Sequence, residues 1–264
     1  MKPKYFDIHS HINDERFNDD REEVIARMKA ENLWTIVVGT DLESSCAAVA
    51  LSQKYDNVFA SVGLHPTDNT AEELNVDAYK KLAELPKTVA IGECGLDYEV
   101  GGEKTAEEKA RQKKIFEQQI DLAVGLDLPV MVHCRGAHED ALATLTEKKK
   151  QHGEKLRGNI HFFSETADIA QKYFNLNFTV SFTGVVTFTH DYDEAVKHTP
   201  QHMIMSETDC PYVAPVPHRG KRNEPIYVKE VVARLAEIRG ENEDELARAL
   251  VDNAFRVFNI TAPE

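Results

Sequence analysis

The segment YFDIHSH, residues 5–11, sets His9 and His11 two positions apart in an apolar, strand-like run. Side chains two apart in a strand share a face, so a buried strand here aims two imidazoles into one interior. Imidazole is the commonest protein ligand for transition metals. Taken alone, the pair is equally compatible with a hydrogen-bonded or surface pair, because eleven histidines allow this spacing by chance. The decision rests on whether other strands end in the same way.

Seven further apolar, β-branched runs follow: WTIVVGT (34–40), NVFASVGLHP (57–66), TVAIGECGLDY (88–98), PVMVHCR (129–135), GNIHFFS (158–164), FTVSFTG (178–184) and MIMSETDCPY (203–212). Between them lie segments of helical periodicity, such as DREEVIARMKAEN (20–32), SSCAAVALSQKY (44–55), VDAYKKLAELP (76–86) and the long AEEKARQKKIFEQQIDLAVGLD (106–127). HEDALATLTEKKKQHG (138–153) and TADIAQKYFN (166–175) continue the alternation. Strand and helix in regular succession imply a parallel sheet. Eight such units predict an α/β fold: a single (β/α)8 TIM-like barrel over residues 1–264, with its active site at the carboxyl ends of the strands. The competing open, doubly wound sheet lacks its mark, since no G-x-G-x-x-G follows the first strand. After the eighth strand come the loop VAPVPHRGKRNEP (213–225) and two further helices, IYVKEVVARLAEIRG (226–240) and EDELARALVDNAFRVFN (243–259). Their i, i+3, i+4 apolar spacing predicts packing on the barrel exterior.

The 264 residues, 42% hydrophobic and 29% charged, can fill one large core and exclude disordered and fibrous classes. Residues 1–11 carry no apolar run with a cleavage site, and no run of uncharged apolar residues is long enough for a membrane span, so a cytoplasmic location is expected. The cysteines Cys46, Cys94, Cys134 and Cys210 have no C-x-x-C spacing. Free thiols in a reducing compartment are therefore expected, rather than a zinc knuckle or redox pair. A net charge of −14 repels polyanions at long range and counts against a whole surface that binds nucleic acid, which leaves cationic substrates or local positive sites, such as bound divalent cations could supply.

The polar residues at the predicted strand ends are coherent. His9 and His11 end the first strand, His65 the third, Glu93 the fourth, His133 and Arg135 the fifth, His161 the sixth, and Glu207 and Asp209 the eighth. Each one singly could be a satisfied buried group. Together, at one rim of a barrel, they would be mutually uncompensated, and convergence on one site is the common cause. Even four of these histidines and two of these carboxylates exceed what a single tetrahedral catalytic zinc takes from protein. Two divalent metals sharing a carboxylate fit better.

The motifs DIHSH, VGLHP, IGECGLDY, VHCR, HFFS, ETDCPY and RGKRNEP, in this order across the whole barrel, resemble the TatD family of metal-dependent deoxyribonucleases in the amidohydrolase superfamily. The resemblance implies hydrolysis of DNA phosphodiesters, often as a 3′-to-5′ exonuclease. It also implies that His9, His11, Glu93 and Asp209 hold one metal and that Glu93, His133 and His161 hold the other. The family usually reads H-C-F-S-G at the sixth strand, where this chain reads HFFSE, with Phe162 and Glu165 altering the lip beside His161.

On this basis Glu93 is expected to bridge the metals, and Asp209 to ligate one and orient or deprotonate the attacking water. Glu207 is expected behind the ligands or paired with a buried cation. Arg135, on the His133 face, could grip a phosphate bidentately. His65 could touch the scissile phosphate, and Arg219, Lys221 and Arg222 could contact the DNA backbone or form a solvated loop. Cys94, Cys134 and Cys210, each next to an inward ligand, should point outward as core thiols. Asp97 and Tyr98 lie near the mouth without an assigned role. The metals could be Mg, Mn, Zn or Ni. The competing functions are a small-molecule phosphatase, a cyclic amide or lactone hydrolase, whose usual bridging lysine is replaced here by Glu93, and a catalytically silent metal- or nucleic-acid-binding scaffold.

Overall fold

The computed structural model describes residues 2–261. Eight parallel strands follow one another around a single sheet: β1 Tyr5–Ser10, β2 Leu33–Val38, β3 Val58–Val62, β4 Thr88–Asp97, β5 Val130–Arg135, β6 Gly158–Ile160, β7 Phe178–Phe182 and β8 Ile204–Ser206. The sheet curls until its edges meet. Ser10 bridges Cys210, the Asp209 N–H donates to the His9 carbonyl at 2.9 Å, and the His11 N–H donates to the Cys210 carbonyl at 2.8 Å. These contacts join the two edges at the carboxyl end, where barrel enzymes carry their sites.

Helices alternate with the strands: α1 Arg21–Ala30, α2 Leu42–Lys54, α3 Val76–Ala83, α4 Ala106–Gly125, α5 His138–His152, α6 Ala167–Phe174 and α7 Asp193–His198, followed by α8 Val228–Arg239 and α9 Glu243–Val257. Short polar residues start several of them by accepting from otherwise unpaired N–H groups: Asp41 before α2, Thr105 before α4, Thr166 before α6 and Asn242 before α9. Gly240, at φ 65°, ends α8 in the left-handed conformation. None of these helices is long and apolar enough to cross a membrane. The six-residue α7, between β7 and β8, is too short to give a periodic signal and is absent from the sequence reading.

Two apolar layers result. The outer layer packs one face of the strands, such as Val58, Val130, Val180 and Ile204, against helix residues including Met28, Phe116, Leu145 and Leu235. The inner layer contains Phe6, Trp34, Phe59 and Val89, the second residues of their strands, with Met131 and Met205. Among the described residues one helix enters it, through Ala254, Phe255 and Val257 of α9 with Phe258 just after its end. Phe255 lies 5.6 Å from Trp34 and 6.0 Å from Phe6, centroid to centroid. The expectation that both terminal helices pack on the exterior is thus corrected for α9. Its second half covers the foot of the barrel, where the inward aromatic rings would otherwise face water.

Candidate metal centre

Strand irregularities aim the polar residues. The β1–β2 register shifts between Asp7 and Ser10. Phe6 and Ile8 can therefore face the interior below while His9 and His11 face it above, and Asp7 turns to the β1–β8 seam to accept from the Thr208 hydroxyl at 2.6 Å. A second shift, between Ile91 and Cys94, carries Glu93 into the centre of the barrel mouth. Here the flanking glycines are required. A Cβ on Gly95, at φ 146°, would stand 1.9 Å from the His133 carbonyl oxygen, and one on Gly92, at φ 145°, would stand 2.4 Å from that of Met131.

The two oxygens of Glu93 face different partners. Oε2 lies 3.3 Å from His9 Nε2 and 3.7 Å from His11 Nε2, whereas Oε1 lies 2.8 Å from His161 Nε2, 3.0 Å from His133 Nδ1 and 3.5 Å from His65 Nε2. Asp209 Oδ1 completes the first group, 3.4 Å from His11 and 3.8 Å from His9. Among the described residues, three sets of ligand atoms lie close enough to share an ion: His9–His11–Asp209, His9–Glu93–His161 and His65–Glu93–His133. His65, read from sequence as a substrate contact, thus also sits at ligand distance from Glu93.

The donor set fits divalent cations. His11 Nδ1 donates to the Val38 carbonyl at 3.1 Å, which leaves the Nε2 lone pair facing His9 Nε2, also at 3.1 Å. His133 Nε2 donates to Asp97 at 2.9 Å, which leaves the Nδ1 lone pair facing His161 Nε2 at 3.3 Å. Lone pairs crowded together repel unless a proton or a metal ion stands between them, and a carboxylate fixing the imidazole tautomer is the usual support of a histidine ligand. Asp97, which the sequence reading left without a role, is thus placed to fix the His133 tautomer. Its signal was position: four residues after Glu93 on the same strand.

Charge follows from these contacts. Burial would raise Glu93, but His161, His65, His9 and His133 around it hold its carboxyl well below the usual range. Burial likewise opposes, and His11, His9 and His161 overcome it, for Asp209, which is held low. Burial and the neighbouring His161 lower His9. In His11, His133 and His161 the carboxylates outweigh burial and raise the imidazole, most strongly in His161, beside Glu93 and Glu207. Glu207 lies behind the cluster. It accepts from the Phe162 N–H and the Ser181 hydroxyl, each at 2.7 Å, and stands 3.4 Å from His161 Nδ1.

All of this opens into a cleft of about 560 Å³. Its walls carry five carboxylates, those of Asp14, Asp68, Glu93, Asp97 and Asp209, against one guanidinium, that of Arg135. Phe162 lines it, whereas Glu165 does not. Three basic residues expected at the substrate also fall outside its lining. Arg222 is engaged by Asp20 at 2.5 Å and Glu224 at 3.2 Å, Arg219 lies 3.8 Å over the Phe188 ring, and Lys221 is exposed. The main partner of Arg222 lies 202 positions earlier in the chain, so that pairing leaves no local signal in the sequence. Cys94, Cys134 and Cys210 are buried in the outer layer, and burial pushes the Cys134 thiol up to about 12.

An eight-stranded parallel barrel with clustered imidazoles and carboxylates at its carboxyl rim defines the class: a metal-dependent hydrolase. The chain belongs to the TatD family, whose sequence model, described as TatD related DNase, matches residues 6–259. It is 40% identical to the uncharacterized metal-dependent hydrolase YabD of Bacillus subtilis, over 97% of this chain and 99% of that one. It is 33% identical to the 3′-5′ ssDNA/RNA exonuclease TatD of Citrobacter rodentium, over 97% and 98% of the two chains. Among solved structures, the TatD homologue YjjV of Escherichia coli superposes with a TM-score of 0.88 at 27% identity, covering 99% of this chain and all of that one.

Proposed function

We propose that the chain hydrolyses phosphodiester bonds of DNA, acting from 3′ ends on single strands, with two divalent cations held at the barrel mouth. The observation that carries this reading is the division of Glu93: one oxygen toward His9 and His11, the other toward His133 and His161. A carboxylate so placed can serve two ions at once. The nucleic-acid substrate is supported by the exonuclease relative and by the charge of the cleft. A phosphate chain cannot approach five carboxylates unless cations offset them.

In this proposal His9, His11, Glu93 and Asp209 hold one cation and Glu93, His133 and His161 the other. The bound cations would polarise the phosphoryl oxygens and acidify water. Asp97 keeps His133 in the tautomer whose Nδ1 lone pair faces Glu93. Asp209, ionised and with 13% of its side chain exposed, orients the attacking water and accepts its proton on a carboxylate oxygen. Arg135, half-exposed at the rim, and His65, its ring 4.4 Å from that of His133, take the phosphate.

The test is digestion of a single-stranded oligonucleotide in Mg²⁺ or Mn²⁺, with and without chelator, beside a small phosphomonoester. Metal-dependent shortening from the 3′ end, abolished in Asp209→Ala, is expected. Much faster turnover of the monoester would replace the nuclease reading with a phosphatase.

A further inference from the structure

Five large hydrophobic side chains are exposed among the described residues: Leu85, Val100, Phe188, Tyr212 and Val216. Tyr212 is the one aromatic among them that lines the cleft, and it is 47% exposed. An aromatic ring left half in water at the wall of a site is unused binding surface. Its surroundings hold it still. Its backbone N–H donates to the Asp209 carbonyl at 3.0 Å, and its carbonyl accepts from Asn223 Nδ2 at 2.7 Å. The Arg16 guanidinium lies over the ring at 4.3 Å and is itself pinned by two 2.8 Å hydrogen bonds to Asp14. His11 meets the ring edge-on at 6.3 Å. A ring with a cation on one face, nearly half of its surface exposed to the cleft, and three residues from Asp209 is a platform for a flat group beside the scissile bond.

We propose that Tyr212 is the stacking platform for the terminal nucleobase, and so sets the preference for unpaired DNA ends over small phosphoesters. The proposal rests on the nuclease reading above. In a duplex the terminal base is held by its pair and its neighbour, and the platform can receive it only after it has been freed. Stacking on a ring needs no particular base, so ends of any sequence should be accepted.

The test compares an oligonucleotide ending in an ordinary 3′ nucleotide with one ending in an abasic residue, both with the Mn²⁺-loaded protein. With wild type, the abasic end should raise KM about tenfold, as expected for losing one base–aromatic stack. Tyr212→Leu should raise KM for the ordinary end by a similar factor, leave kcat within about twofold, and leave the abasic end indifferent to the substitution. Tyr212→Phe, which keeps the ring, should rescue KM. Equal KM for the two ends with wild type would overturn the proposal without reliance on any variant. An equal loss on both ends in Tyr212→Leu would also overturn it, by making Tyr212 a structural residue. If metal-loaded wild type degraded neither oligonucleotide, the nuclease reading itself would fall, and the platform with it.

Discussion

Glu93 is a buried carboxylate whose charge is sustained by imidazoles on both sides, and this arrangement dictates how the site responds to pH and substitution. In the metal-free protein His11, His133 and His161 are raised above the ordinary histidine value of about 6.5, so each binds a proton that a metal must displace. Metal affinity should therefore climb as pH rises through and beyond 6.5, with protons released on binding, as calorimetry in two buffers would detect. The stability of the metal-stripped protein should move the opposite way. A raised folded-state pKa contributes stability that is complete below the unfolded value of about 6.5 and is lost as pH rises through the folded value. His9, which is lowered, opposes the other three. Thermal melts in chelator at pH 6 and pH 8.5 should thus show the lower Tm at the higher pH, and an unchanged or higher Tm there would contradict the assigned charges. Asp97→Asn removes the carboxylate that fixes His133, and metal affinity should fall roughly 10–100-fold while the fold is kept. Wild-type affinity in that variant would deny Asp97 its supporting role.

At the scale of elements, the site depends on β4 pressing against β5. Gly95→Ala would drive a methyl group into the His133 carbonyl, so the strand must separate from its neighbour or the protein must fail to fold. A loss of more than about 3 kcal/mol is expected from denaturant melts, and a variant of near wild-type stability would show that the two strands are not so close. The loop after β8 makes the contrasting case. Arg222 joins Asp20 and Glu224 and lies 4.3 Å over the Phe17 ring. Arg222→Ala should cost about 1 kcal/mol of stability and leave DNA turnover within about twofold. A large rise in KM would restore it to the substrate. These two segments also mark where sequence reading succeeds and fails. The eight strands and their terminal histidines are legible because period and composition are local signals. The partners of Arg222, the shift that centres Glu93 and the hydrogen bond from His133 to Asp97 depend on neighbours that only the folded sheet supplies.

Over the whole molecule, stability and chemistry sit at opposite ends of one barrel. The foot is closed by α9 through Phe255, whose ring packs against both Trp34 and Phe6. Phe255→Ala should destabilise by about 3–5 kcal/mol and shift the fluorescence of the single tryptophan, without changing metal stoichiometry. The mouth gathers carboxylates and imidazoles from six strands or the loops after them, in a chain whose net charge is −14, so in the proposed function bound cations would supply its affinity for a polyanion. The most direct measurement is metal content per chain at saturating Mn²⁺ or Zn²⁺, by mass spectrometry after dialysis, for wild type and Glu93→Gln. Two ions in wild type and a loss from both positions in the variant are expected. Two ions retained by Glu93→Gln, or none bound by wild type, would contradict a shared carboxylate at the centre of this site.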